Sequence, residues 1–177
     1  MCQMTPEGDL LNSNIKEKWQ TIKSVGVLLR PYSHGIVNQG GLVLIDHKDG
    51  WGIPAGHLER GEFLSGALRR EIFEETGIEE RFIDFNTGTD QFLFRPELEI
   101  TVPRNENTSS GSVYRAVYHG PRLPKRWTHS ENGEDREVRQ FKKREVADLL
   151  LRQLKGENVI RKPEINTHVF MFYSVRS

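Results

Sequence analysis

Apolar positions along the 177-residue chain recur with two different periods. Leu64, Leu68 and Ile72 stand at i, i+4 and i+8, the spacing of one helix face, and Gly77 stands where a left-handed C-cap is wanted. This pattern predicts a helix over residues 62–76. A second amphipathic stretch predicts a helix over about 144–154. Pro163 opens a third, with Ile165, Val169 and Phe172 on one face, although the run 169–173 also suits a strand. The continuous apolar run 42–45 predicts a strand buried on both faces, and Asp49-Gly50 after it is a tight-hairpin signal. Shorter strands are predicted over 25–29, 81–86, 91–95, 113–119 and 137–141. Segments 34–41, 103–111 and 121–135 read as loops, and 1–20 as a polar arm or a short helix around Ile15 to Trp19. Strands with few helices and no regular alternation predict a mixed sheet with helices packed on it, an α/β (α+β) fold. The organisation expected is an N-terminal arm, 1–20, followed by one domain, 21–177.

Composition narrows the function classes. Lys and Arg number 25, as do Asp and Glu, so there is no basic excess of the kind an extended nucleic-acid surface would show. The single cysteine, Cys2, excludes an internal disulfide and any cysteine-based zinc site. No signal-peptide-length apolar run opens the chain, and no stretch approaches 18 apolar residues, so the expectation is a cytoplasmic protein without a membrane span.

Charge placement on the first helix changes the picture most. On a helical wheel Glu71, Glu74 and Glu75 fall within an arc of about 100°, with Ala67 one turn earlier in the same arc. A solvated acidic face is the plain alternative. Against it, all three carboxylates crowd the C-terminal end of the helix. Each i,i+4 repulsion costs about 0.2–0.5 kcal/mol and each anion at the negative end of the dipole about 0.3–1 kcal/mol more. Arg70 offsets one charge. A divalent cation reverses the sign of the whole balance. The all-oxygen donor set favours Mg²⁺ or Mn²⁺, and such an ion implies a substrate carrying a diphosphate.

Gly56, Glu62, Arg70, Glu71, Ile72, Glu74, Glu75, Gly77 and Ile78 fill every position of a 23-residue signature. Through them the chain resembles the Nudix hydrolases. Looser similarity extends over about 25–151, including Trp51-Gly-Ile-Pro and Glu137-Val-Arg-Gln-Phe. The resemblance implies an α/β/α sandwich with a mixed sheet and a loop–helix–loop catalytic motif. It implies hydrolysis of a nucleoside diphosphate linked to another moiety: a nucleoside triphosphate, a nucleotide sugar or an ADP-ribose-like compound. By position it makes Glu71, Glu74 and Glu75 metal ligands, with the backbone carbonyl of Ala55 or Gly56 as a further ligand. Arg70 would orient the glutamates and Glu62 would support the site through Arg70 or a further ion. Gly56 would serve a close turn and Gly77 the helix cap.

Beyond the motif, the acidic residues Glu131, Glu134, Asp135 and Glu137 are candidates for the general base or for substrate contact, against the plain reading of a solvated loop. Glu59 is a candidate for touching metal, against ordinary turn polarity. Trp127 is the aromatic most suggestive of stacking on a nucleobase. The expected partner is a small nucleotide. Related domains are often dimers, so a homodimer is one expectation, though no interface is legible here. The rival of a different class is a catalytically silent nucleotide-sensing or partner-binding module on the same fold.

Overall fold

The structure is a computed structural model that describes residues 24–33, 36–37, 41–85, 98–104 and 107–175. The predicted arm, Cys2, the short helix at 15–19 and the strand at 91–95 lie outside the described residues.

Two sheets form the middle of the molecule. In the first, β1 (Ser24–Ser33) runs parallel to β8 (Asn107–Tyr118), with register Ser24↔Gly111 through Pro31↔Tyr118. The outer edge of β1 carries β2 (Ile36–Val37) and β5 (Ala55–His57), and that of β8 carries β6 (Ile83–Phe85) and β7 (Leu98–Arg104), all antiparallel. The sheet is therefore mixed, as the pattern predicts. The second sheet is antiparallel and has the order β4 (Gly50–Gly52), β3 (Leu42–His47), β10 (Glu134–Phe141), β9 (Arg126–Glu131).

Both faces are covered, and β3 shows why its sequence is apolar throughout. Val43 and Ile45 enter one core with Leu64, Leu68 and Ile72 of α1 (Leu64–Thr76). Leu42 and Leu44 enter a second core with Val146 and Leu149 of α2 (Lys143–Leu154) and Val169 and Phe170 of α3 (Pro163–Val175). All four strand residues have no solvent exposure, so each contributes about 1.5–3 kcal/mol of burial. The ambiguous C-terminal tail is a helix. No helix among the described residues is long and apolar enough to cross a membrane.

Three departures from the pattern have physical causes. First, α1 starts at Leu64, not at Glu62. The Glu62 carboxylate accepts from Glu59 N–H at 3.2 Å and from Arg70, which holds 59–62 in a turn with Gly61 at φ 83°. Second, the stretch expected as a polar loop over 103–111 is mostly the hairpin of β7 and β8, registered through Arg104↔Asn107. Its sequence is too polar to show an apolar period. Third, the expected loop 121–135 contains β9, in which Trp127, His129 and Glu131 are half-buried and alternate with exposed Arg126, Thr128 and Ser130. Asn132 at φ 52° and Gly133 at φ 80° close the β9–β10 hairpin in the left-handed geometry that Asn-Gly favours.

Candidate active site

Helix α1 presents its buried face in two chemical halves. Leu64, Leu68 and Ile72 anchor it to the sheets, and Ala67, with no exposure, belongs to that core and opens no space. One turn further on, the same side carries Glu71 and Glu75, only 7% and 5% exposed. Glu74 points outward, its side chain 44% exposed. The helix closes on Gly77, φ 73°, whose N–H donates to the Phe73 carbonyl, as the sequence predicts.

Arg70 is the hub of the motif. It forms a fork on Glu62, Nε to Oε1 at 2.9 Å and Nη2 to Oε2 at 3.0 Å. Its Nη1 donates to Glu71 Oε1 at 2.7 Å and to Glu74 Oε2 at 3.1 Å, and Nη2 also reaches the His57 carbonyl at 3.0 Å. One guanidinium thus ties helix, preceding turn and strand β5 together. These charge-assisted bonds lock it in the charged form and hold Glu62 below the usual carboxylate range.

Glu75 is held differently. Its Oε2 accepts from Ala55 N–H at 2.8 Å. Its Oε1 faces Arg136 Nη1 of β10 at 3.7 Å, and His47 Nε2 of β3 and Arg161 Nη1 each at 3.9 Å. Burial pushes the Glu75 carboxyl up from 4.5 to about 7, against the pull of the Ala55 N–H, and Glu131 adds to the rise. Glu71 is raised as well, by burial first, with the Arg70 guanidinium opposing. Burial and the neighbouring guanidiniums push the His47 imidazole down to about 3, so it is neutral.

Gly56 occupies a tight spot against the motif helix. It pairs with Val25 in β5, and a Cβ placed on it would lie 2.0 Å from Glu71 Oε1 and 2.1 Å from the carboxyl carbon. The glycine therefore gives way to a carboxylate; it is extended backbone, not the close turn expected of it.

Strand β9 delivers a residue that pattern reading does not separate from its neighbours. Glu131, its side chain 19% exposed, lies 2.5 Å from Arg136 Nη1, and the same guanidinium faces Glu75. Its Oε2 is buried and makes no geometrically sound hydrogen bond. The Asn132-Gly133 dipeptide was the signal that could have placed it. The other acidic candidates go elsewhere. Glu134 is exposed and bonds Lys48 at 3.0 Å. Glu137 is exposed, one residue along the strand from core residue Val138, and so points to the opposite face from α1. Glu59 is exposed in the turn, where only its backbone meets the motif. Trp127 packs on the first core, and its Nε1–H donates to the Thr76 carbonyl at 2.8 Å, which satisfies the end of α1.

The three expected ligands are thus divided: Glu71 and Glu74 meet on Arg70, whereas Glu75 faces Arg136, Arg161 and Ala55. Among the described residues no three His, Cys, Asp or Glu side chains already form a cation cage. Guanidiniums supply the countercharge instead.

A sandwich of this kind, with buried carboxylates at the end of a motif helix, defines a class also visible in comparisons with known proteins. The NUDIX domain family model matches residues 24–165, and the chain belongs to that family. The phosphatase NudJ of Escherichia coli K12 and that of Shigella flexneri are each 39% identical over 83 residues, 41% of this chain and 54% of theirs. The chain thus spans about half the length of the curated relatives it matches. A MutT protein from Methanosarcina mazei Go1 superposes with a TM-score of 0.53 at 17% identity, over 88% of this chain and 96% of that one. A C. elegans Ap4A hydrolase superposes at 0.51 and 14%, over 85% and 92%. Identities this low show a shared fold.

Proposed function

We propose that the protein is a divalent-metal-dependent hydrolase that cleaves the pyrophosphate linkage of a nucleoside diphosphate derivative by water attack on phosphorus. The observation that carries this reading is the burial of Glu71 and Glu75 at 7% and 5% exposure, with the fully formed Arg70 hub behind them. Two carboxylates kept out of water with raised pKa values form a site short of positive charge. The oxygen donors suit Mg²⁺ or Mn²⁺. Glu71, Glu74 and Glu75 would hold the ion, with a backbone carbonyl of Ala55 or Gly56. When bound, the ion neutralises phosphate charge and makes the attacking water more acidic. Family membership and relatives named for phosphatase and Ap4A hydrolase activity support phosphoanhydride chemistry.

The chain's own residues then have separable tasks. Arg70 fixes Glu71 and Glu74, and Glu62 fixes Arg70. Gly56 leaves room for Glu71. Glu131 is the proposed general base: its half-buried carboxylate stands near Glu75, across the Arg136 guanidinium that pairs with its Oε2. The test is a Mn²⁺ titration followed by phosphate release from a nucleotide panel, with a chelator control. Metal binding with metal-dependent turnover supports the reading. Nucleotide binding with no turnover on any compound would instead favour a silent sensing module.

A further inference from the structure

A second cleft lies across the second sheet from α1, beside α2, with a volume of about 330 Å³ and one side open to solvent. Small-molecule sites span about 300–1,000 Å³. The floor of the cleft is aromatic. Trp51 of β4 meets Phe141 of β10 edge to face, ring centroids 4.7 Å apart, and the Arg139 guanidinium lies over the Phe141 ring at 4.5 Å. Arg139 is also tied to the Glu145 carboxylate of α2, which accepts from Lys142 N–H at 2.8 Å as well. These groups are committed to one another.

Three other groups on the cleft are not. The half-buried Trp51 indole N–H donates to no acceptor among the described residues. Arg144, Asp148 and Arg152 stand at i, i+4 and i+8 along α2, so the Asp148 carboxylate has a guanidinium one turn before it and another one turn after it. Side chains at this spacing are placed to pair. Arg152 instead bonds Glu157 at 2.7 Å, and neither Arg144 nor Asp148 has an ion pair or a side-chain hydrogen bond among the described residues. One aromatic plane, one free carboxylate and one free guanidinium therefore share a cleft of ligand size.

We propose that this cleft is a second ligand site, separate from the motif carboxylates, for a guanine nucleotide: the base stacks on Trp51, Asp148 takes its Watson–Crick edge and Arg144 takes its phosphate. An ionised carboxylate can only accept hydrogen bonds. Guanine sets two N–H donors side by side on that edge, N1–H and the N2 amine, whereas the other bases place an acceptor beside their donor. Stacking serves any base, so Asp148 sets the identity. The Arg144 fork, with no carboxylate of its own, fits phosphate oxygens. Nothing in this assignment depends on the hydrolase reading.

Calorimetric titration of the full chain in chelator tests it, with guanosine monophosphate, adenosine monophosphate, xanthosine monophosphate and guanosine as probes. The wild type should bind guanosine monophosphate at least ~10-fold more tightly than adenosine monophosphate, the scale of one bidentate base contact. Asp148→Asn replaces one acceptor by a donor, which suits xanthine, so it should reverse the order and prefer xanthosine monophosphate. Arg144→Gln should cost guanosine monophosphate about 10-fold and leave guanosine unchanged. Equal affinity for the guanine and adenine nucleotides, or no binding of either, overturns the site from the wild type alone, even if a variant fails to fold. Unchanged affinities in both variants overturn it too, because they place the nucleotide elsewhere.

Discussion

Replacing Gly56 with Ala inserts one methyl group against the Glu71 carboxylate. The new Cβ would sit 2.0 Å from Oε1, about 1.5 Å inside the ~3.5 Å of van der Waals contact. The backbone at β5 is held by pairing with Val25, so the carboxylate moves and the strand stays. Glu71 then loses the 2.7 Å bond from Arg70, worth about 1.5–3 kcal/mol as a charge-assisted contact, and regains water in exchange. Because a buried carboxylate is released, net stability should change by under ~1 kcal/mol. Function should not survive so well: a displacement of ~1 Å at a reacting centre costs about 10²-fold in rate. Thermal melts, Mn²⁺ titration and kcat measured on one preparation separate the two effects. Gly66→Ala is the control. It lies on the exposed side of α1, and its nearest neighbour would be Glu62 Cγ at 3.8 Å. It should stabilise by about 0.5–1 kcal/mol and leave kcat alone. A Gly56→Ala protein with wild-type Mn²⁺ affinity and kcat would refute the packing argument.

Three further outcomes are expected. In chelator, the Glu75 carboxyl lowers wild-type stability as pH rises from about 4.5 to about 7, because the folded state holds the extra proton across that window, while the neutral His47 imidazole, held down to about 3, raises it between about 3 and 6.5. Glu75→Gln removes only the first contribution, ~3 kcal/mol in full, so its denaturant melts should show stability rising relative to wild type between about pH 4.5 and 7, while metal-dependent turnover is abolished. Glu131→Gln should lower kcat by about 10²–10⁴-fold with Mn²⁺ affinity within a few-fold of wild type, and unchanged kcat would move the general base elsewhere. Trp127→Phe removes the 2.8 Å bond to the Thr76 carbonyl, so it should cost ~1–3 kcal/mol in stability and leave KM for nucleotides in place. A large KM increase at unchanged melting temperature would restore a stacking role for Trp127.

Legibility in the sequence followed local periodicity. α1, α2 and β3 carry uninterrupted apolar patterns, and Gly77 and Pro163 mark helix ends through backbone chemistry alone. The motif carboxylates and Arg70 share one helix and the turn before it, so their spacing already brings them together. β9 and the β7–β8 hairpin were hidden because Thr, Ser, Asn and charged residues fill positions where strand pairing, not side-chain burial, sets the conformation. Arg136, Arg161 and His47 reach Glu75 only through three different elements, a placement no local pattern encodes. Glu131 stood among four similar acidic residues; the strand's alternation separates it from Glu137, whereas Glu134, its cross-strand partner on the same face, differs by its exposure and its bond to Lys48.

The most direct test is hydrolysis in ¹⁸O-water of nucleoside triphosphates, a dinucleoside polyphosphate, ADP-ribose and a nucleotide sugar, by wild type and Glu75→Gln, with Mg²⁺, Mn²⁺ or chelator. Metal-dependent turnover that places one ¹⁸O on a phosphate product, and is lost in Glu75→Gln, is the predicted result. Equal turnover in chelator, or a Glu75→Gln protein as active as the wild type, would contradict the account.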